Sequence, residues 1–183
     1  MSRIHVVEPA TATPEQKALL DAIHGQLGMV PNFLKVFANS TTALQAFLGL
    51  YGIANGGSLD PLDRERIALA LAQQNGCQYC VSAHTAIGRK TGLSAEEIAA
   101  ARAGTRDDDT SAAILKFARS LMDKRGEVSA LELTELRAAG VDEAQVVEII
   151  THVGMNFLTN ILGKASLVEI DFPSVKLELP TAA

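Results

Sequence analysis

An all-α fold is predicted by three features of the 183-residue sequence. Apolar residues make up 48% of the chain but aromatic residues only 4%, with no Trp, so the hydrophobic mass is Ala, Leu, Val and Ile. Ala and Leu are the strongest helix formers. The apolar stretches are also punctuated as helices are, with Ser, Asp or Pro at their starts and Gly at their ends. The length fits one domain, residues 1–183, large enough to bury roughly 70% of the surface its unfolded chain would expose.

Residues 1–13 read as an extended arm. Pro14 and Glu15 open an amphipathic stretch, "PEQKALLDAIHGQLG", that stops at Gly28. Pro31 restarts the chain, and Leu34, Val36 and Phe37 are apolar. Ser40 caps the next helix, which ends at Gly56-Gly57. Asp60 caps a fourth with Pro61 at its first position and Asp63 and Glu65 in its first turns, and Asn75-Gly76 stops it. A fifth helix follows at once, carries Cys77, Cys80 and His84, and ends near Gly92.

Ser94 with Glu97 forms a capping box for a short helix to Gly104. "TRDDDT" is a polar loop, and the "RDDD" within it is expected to be solvated. "SAAILKFARSLMDKRG" is a helix to Gly126, and Ser129 and Asp142 are further caps. The last helix spans about 143–163, and 164–183 form a tail laid over a neighbouring surface. One weak internal echo exists, which a decayed duplication or chance explains equally well. Glu65 and Glu148 open similar apolar helices, and Cys77 and Asn160 each follow twelve residues later.

Charge and composition exclude several roles. The net charge is −5 and the pI near 5.4, with no basic stripe, which argues against nucleic acid as a partner. The N-terminal segment has no apolar run like a signal sequence. No continuous stretch reaches the ~18 apolar residues of a membrane span. Two cysteines without a secretory signal point to a reducing, cytoplasmic setting, where a Cys-x-x-Cys pair is catalytic or metal-binding more often than structural.

The chemistry concentrates in "NGCQYCVSAHT". At about 100° per residue, Cys77, Cys80 and His84 point within roughly 60° of one another on one helix face. Cys77 lies near the helix start, where free N–H groups and the macrodipole favour a thiolate. The spacing also lets the two sulfurs approach closely enough to bond. Glu65, on the helix before the tight Asn75-Gly76 turn, can reach the imidazole of His84, orient it and accept a proton.

Each of these residues has a plainer reading. The cysteines can be small apolar fillers. Two thiolates, an imidazole and a carboxylate also make a four-ligand set that zinc accepts, although structural zinc sites usually bring two ligand pairs. Glu65 can simply complement the helix dipole, and His84 can be a half-buried histidine bonded to a carbonyl. His152 lies on an apolar helix with Asn156 one turn on. A core or interface position fits both, with support of the site from behind as the alternative. Tyr51 and Tyr79 can line a pocket or merely pack. His5 and His24 carry no signal.

The pattern Glu65, eleven residues, Cys77, two residues, Cys80, three residues, His84 resembles that of the AhpD-like alkylhydroperoxidases of the carboxymuconolactone decarboxylase superfamily. "GMVPNFLKVFANS" and "THVGMNFLTNILGKASLVEIDFP" are similar to flanking segments of its peroxidase-related branch, so the resemblance covers about residues 15–173. It implies an all-α AhpD-like domain that assembles as a homo-oligomer (dimer, trimer or hexamer). It further implies a thiol peroxidase without a bound cofactor, acting on H2O2 or organic hydroperoxides.

By the same resemblance Cys80 is the more buried sulfur and attacks the peroxide. Cys77 resolves it as a disulfide and meets a dithiol reductant, lipoyl or thioredoxin-like, while Glu65 and His84 relay the proton. Some members have a histidine just before the second cysteine. Here that position is Tyr79, whose hydroxyl is a candidate stand-in. Two rival functions remain. One is a metal-binding or purely structural helical oligomer. The other is acid–base work by His84 and Glu65 on a small lactone or organic acid, although members that decarboxylate a lactone lack the cysteine pair. Apolar "FLKVFA" and "NFLTNIL" are candidate subunit contacts.

Overall fold

A computed structural model describes residues 1–105 and 109–178. Its helices run α1 Pro14–Leu27, α2 Asn32–Phe37, α3 Thr41–Ala54, α4 Pro61–Gln74, α5 Gln78–Thr91, α6 Ala95–Ala103, α7 Asp109–Asp123, α8 Ala130–Ala138 and α9 Glu143–Ser166. Among the described residues there is no strand.

The caps read from the sequence are made. Ser94, Ser129 and Asp142 each close a capping box, and so does Thr13 before α1, unmarked in the sequence. Ser40 and Asp60 each accept a backbone N–H of the helix they open. Such caps satisfy N–H groups that no preceding turn can reach. Asp109 and Thr110, expected in the polar loop, are already in α7. The rest of the "RDDD" segment, 106–108, lies outside the described residues.

α4 is the axis of the molecule. Eight of its fourteen residues are buried, and it packs against α5, α6, α7 and α9. Every core cluster borrows from it. Ala72 joins α1–α3, the arm and the tail. Ile67 and Leu71 join α7–α9. Leu69 joins Leu93, Ile98 and Ala101. The continuous apolar run 67–72, every residue of it buried, has to lie in the interior, and the turn before it brings Glu65 to its edge.

α9 runs three residues past the predicted stop, to Ser166, and Leu167 ends it in the left-handed region at φ 47°. Gly163 is a packing residue inside the helix, not its cap. The arm caps the other side of this end: Arg3 N donates to the Ser166 carbonyl at 2.6 Å and Ser2 Oγ at 3.1 Å. α9 is also the one described helix long and apolar enough by length and composition to cross a bilayer. Interrupted by polar residues such as Thr151-His152 and Thr159-Asn160, it escapes a test for continuous apolar runs. Its inner face is packed in protein and carries buried His152, Asn156 and Asn160.

The tail does lie over its neighbours. Val175 N donates to Ser82 Oγ at 3.0 Å. Arg102 Nη2 donates to the Lys176 carbonyl at 2.6 Å and Gln73 Nε2 to that of Leu177 at 2.6 Å. The two candidate subunit contacts part ways. "FLKVFA" is core, with Phe33, Leu34, Val36, Phe37 and Ala38 all buried. In "NFLTNIL" Phe157, Leu158 and Ile161 are exposed. An apolar hexapeptide looks alike in either role, and only the packing of α1 and α3 over α2 decides it.

Candidate active site

The α4–α5 hairpin builds the site. Asn75 ends α4, Gly76 takes φ 66°, where a side chain would be strained, and the chain reverses into α5. Cys77 therefore lies at the helix start, as expected from sequence, as the N-cap of α5 with extended backbone (φ −94°, ψ 93°). Its sulfur accepts the Cys80 N–H at 3.3 Å, the place a cap oxygen usually fills. This donor and the helix dipole favour negative charge on that sulfur whenever the pair is reduced.

In the structure Cys77 and Cys80 are joined as a disulfide with their Cα atoms 5.3 Å apart. Both are buried, Cys77 at 1% exposure and Cys80 at 4%. Exposure therefore does not set the two sulfurs apart. The cause is α9: a Cβ placed on Gly163 would sit 2.8 Å from Cys77 Sγ and 3.5 Å from Cys80 Sγ. The glycine lets α9 close over the pair. Cys80 Sγ also lies 3.9 Å from the Thr159 carbonyl, an acceptor in place for a thiol.

One turn past Cys80, His84 Nδ1 is 2.9 Å from Glu65 Oε2. Both side chains are largely shielded, at 18% and 13% exposure. Glu65 turns inward because its neighbours on α4 are core residues and because Gly88 lies across from its Cβ. The bond fixes the ring, with its second nitrogen free for another partner. The disulfide and the His84–Glu65 pair thus lie on one hairpin.

Tyr79 does not join them. Its hydroxyl donates to Asp171 Oδ1 of the tail at 2.7 Å and accepts the Phe33 N–H at 3.3 Å. Its ring stacks on Phe33 with centroids 5.5 Å apart. Burial, with the Asp171 carboxylate beside it, holds its proton firmly in place. Tyr79 ties the tail to α2 and α5 and is no stand-in for a relay histidine. Nothing in a single sequence says which way this ring turns.

His152 is buried at 2% exposure with Nε2 unpartnered. Asn156, also buried, donates Nδ2 to the His152 carbonyl at 2.8 Å within α9. His152 stands apart from the sulfurs but within electrostatic reach of Glu65, Glu148 and Arg64. Burial, reinforced by Arg64, holds its imidazole below the ordinary value of 6.5, against the opposing effects of a bond to the Ala54 carbonyl and of Glu148 and Glu65. The native state therefore favours the neutral ring. That contribution to stability is complete above about pH 6.5 and is lost as pH falls below it. The melting temperature is expected to hold from pH 8 to 7 and drop below 6.5. His152→Gln should flatten that acid slope, whatever it does to the plateau.

Residues outside the candidate set complete the surroundings. Gly163 read as a helix stop. Asn160, beyond Asn156 on the His152 helix and the partner of Cys77 in the echo, accepts Asn75 Nδ2 on its Oδ1 at 2.9 Å. Glu148, the other half of that echo, is engaged elsewhere, accepting the Ser58 and Leu59 N–H groups at 3.0 and 2.9 Å. Among the described residues no group of three or more His, Cys, Asp or Glu is arranged to hold a metal ion. The sulfurs that a metal reading needs are bonded to each other in this state.

A model of the carboxymuconolactone decarboxylase family matches residues 41–124, from α3 through α7 and including the whole hairpin. The alkyl hydroperoxide reductase AhpD of Solibacter usitatus (strain Ellin6076) is 42% identical over 59 residues, 32% of this chain and 33% of that protein, so the match spans one third of the relative's length. Two solved structures are similar over nearly the whole chain. One is an uncharacterized peroxidase-related protein with an alkylhydroperoxidase AhpD core from Ralstonia eutropha JMP134 (TM-score 0.81, 25% identity, 93% of this chain and 92% of that one). The other is an uncharacterized peroxidase-related protein from Silicibacter sp. TM1040 (TM-score 0.79, 26% identity, 92% and 94%). With its all-α architecture the chain shares the fold of these AhpD-core structures, and its α3–α7 segment, with the Cys-x-x-Cys hairpin, matches the carboxymuconolactone decarboxylase family.

Proposed function

We propose that the protein is a dithiol-dependent peroxidase that reduces H2O2 or organic hydroperoxides. The observation that carries this reading is the bonded Cys77–Cys80 pair one helical turn from the His84–Glu65 couple.

In the proposed cycle the Cys80 thiolate attacks the terminal oxygen of ROOH. The O–O bond breaks, sulfur becomes a sulfenic acid, and RO⁻ leaves as ROH with a proton from His84, which Glu65 orients and replenishes. The Cys77 thiol then attacks the sulfenic sulfur, forming the disulfide and releasing water. An external dithiol, lipoyl or thioredoxin-like, restores both thiols by exchange and leaves as its own disulfide. Nothing in this cycle calls for a bound cofactor. It does call for a compartment that keeps dithiols reduced, such as the cytoplasm. Exposed apolar side chains on α3 and α9, Ile53, Val147 and Ile150 among them, support assembly as a homo-oligomer.

Thiol titration tests the cycle. One equivalent of peroxide should remove two thiols per chain from the reduced protein, and a dithiol should return them. Loss of a single thiol, or none, would sink the reading.

A further inference from the structure

A cleft of about 360 Å³ opens where the α4–α5 turn meets α9, lined by Asn75, Phe157, Asn160, Ile161, Lys164 and Ala165. Its position is fixed by two contacts already described. Asn75 precedes Cys77 by two residues at the hairpin turn. Asn160 and Lys164 flank Gly163, the residue lying against Cys77 Sγ.

The cleft has a definite chemistry. Asn160 is 1% exposed. Its Oδ1 is taken by Asn75 Nδ2, and its Nδ2 has no partner. A buried donor without an acceptor is unfavourable, and an arriving acceptor removes the penalty. Lys164 Nζ donates to the Asn75 carbonyl at 2.7 Å, which leaves two ammonium N–H bonds uncommitted. Amide donor and ammonium together ask for an anionic acceptor. Phe157 and Ile161, 47% and 50% exposed, with Ala165 supply an apolar wall beside it.

We propose that this cleft binds small aliphatic carboxylates, with the carboxylate on Asn160 Nδ2 and Lys164 Nζ and the alkyl chain along Phe157 and Ile161. Two molecules of the cycle could bring such a group, a carboxylated thiol reductant or a carboxylated hydroperoxide. This role in turnover rests on the peroxidase reading; the binding itself does not.

The test uses hexanoate, which has neither thiol nor O–O bond, so binding is read apart from redox chemistry. Titration of the oxidised full chain, followed by NMR or calorimetry, should saturate with a Kd in the millimolar range or tighter. Binding should weaken at least about tenfold in Lys164→Gln and in Asn160→Asp, where a carboxylate replaces the free amide donor. Hexanol should not compete. No saturation, or saturation untouched by both substitutions, overturns the site. So does failure to bind together with an oligomer that Ile161→Glu dissociates in light scattering, because a second copy then fills the cleft.

The half-reactions identify the source. If reductants dock here, hexanoate slows reduction of the disulfide by 3-mercaptopropionate but not by 2-mercaptoethanol. If hydroperoxides dock here, it slows oxidation by a fatty-acid hydroperoxide but not by its methyl ester. Saturable binding that slows neither half-reaction overturns the role in turnover.

Discussion

Cys80→Ser is expected to lower peroxide turnover by at least about a thousandfold, as removal of an attacking nucleophile does. Cys77→Ser should behave differently. Its Cys80 still reacts once per chain, leaving a sulfenic acid that a dimedone-type reagent traps, but no disulfide forms and dithiol-driven turnover stops. The contrast matters because the geometry pulls in two directions. Cys77 has the helix-capping position and the Cys80 N–H on its sulfur, which favour its thiolate. Cys80 has His84 one turn away and the Thr159 carbonyl at 3.9 Å. Proton delivery to the leaving oxygen is what the imidazole offers, so Cys80 is assigned the attack. Stopped-flow oxidation with mass spectrometry of the trapped sulfur decides it: a sulfenic acid on Cys77 in Cys80→Ser protein would exchange the two roles.

The second large effect is structural. Gly163→Ala puts a methyl 2.8 Å from Cys77 Sγ. Overpacking of this kind costs about 1–3 kcal/mol, and replacing glycine by alanine inside a helix returns about 1 kcal/mol. In the oxidised protein the sulfur is held by its bond to Cys80, so the clash should win and the melting temperature should fall by several degrees. In the reduced protein Cys77 can turn about its own side-chain bond, and the helix gain should leave stability level or slightly higher. A penalty borne only by the disulfide form favours the dithiol, by about 20–60 mV in reduction potential at 30 mV per 1.4 kcal/mol. Equilibration with a glutathione series measures this. An unchanged potential, with equal melting shifts in both redox states, would show that α9 does not press on the sulfur pair.

Local punctuation made much of this fold legible. Ser40, Asp60, Ser94, Ser129 and Asp142 name their helices because a cap needs only its own next three residues. Glu65 and His84 were legible as a pair for a related reason: a two-residue turn between long helices leaves few ways to pack them. What escaped depends on rotation about helix axes and on distant chain. Tyr79 neighbours Cys80 in sequence yet faces the tail, because Asp171 and Phe33 lie on that side. Gly163 sits where a helix end is ordinary, and only the sulfurs opposite give it another meaning. The burial of both cysteines follows from the same approach of α9, which no periodicity encodes.

The shelter around the sulfurs also has an order in time. Cys80 meets the Thr159 carbonyl 79 residues downstream, and Tyr79 meets Asp171 92 residues downstream. Translation at about 5–20 residues per second puts roughly 5–20 s between synthesis of the hairpin and synthesis of the segments that enclose it. During each round of biosynthesis the thiols are therefore bare on the nascent chain, and the redox poise around the ribosome acts on them before the finished fold can shield them.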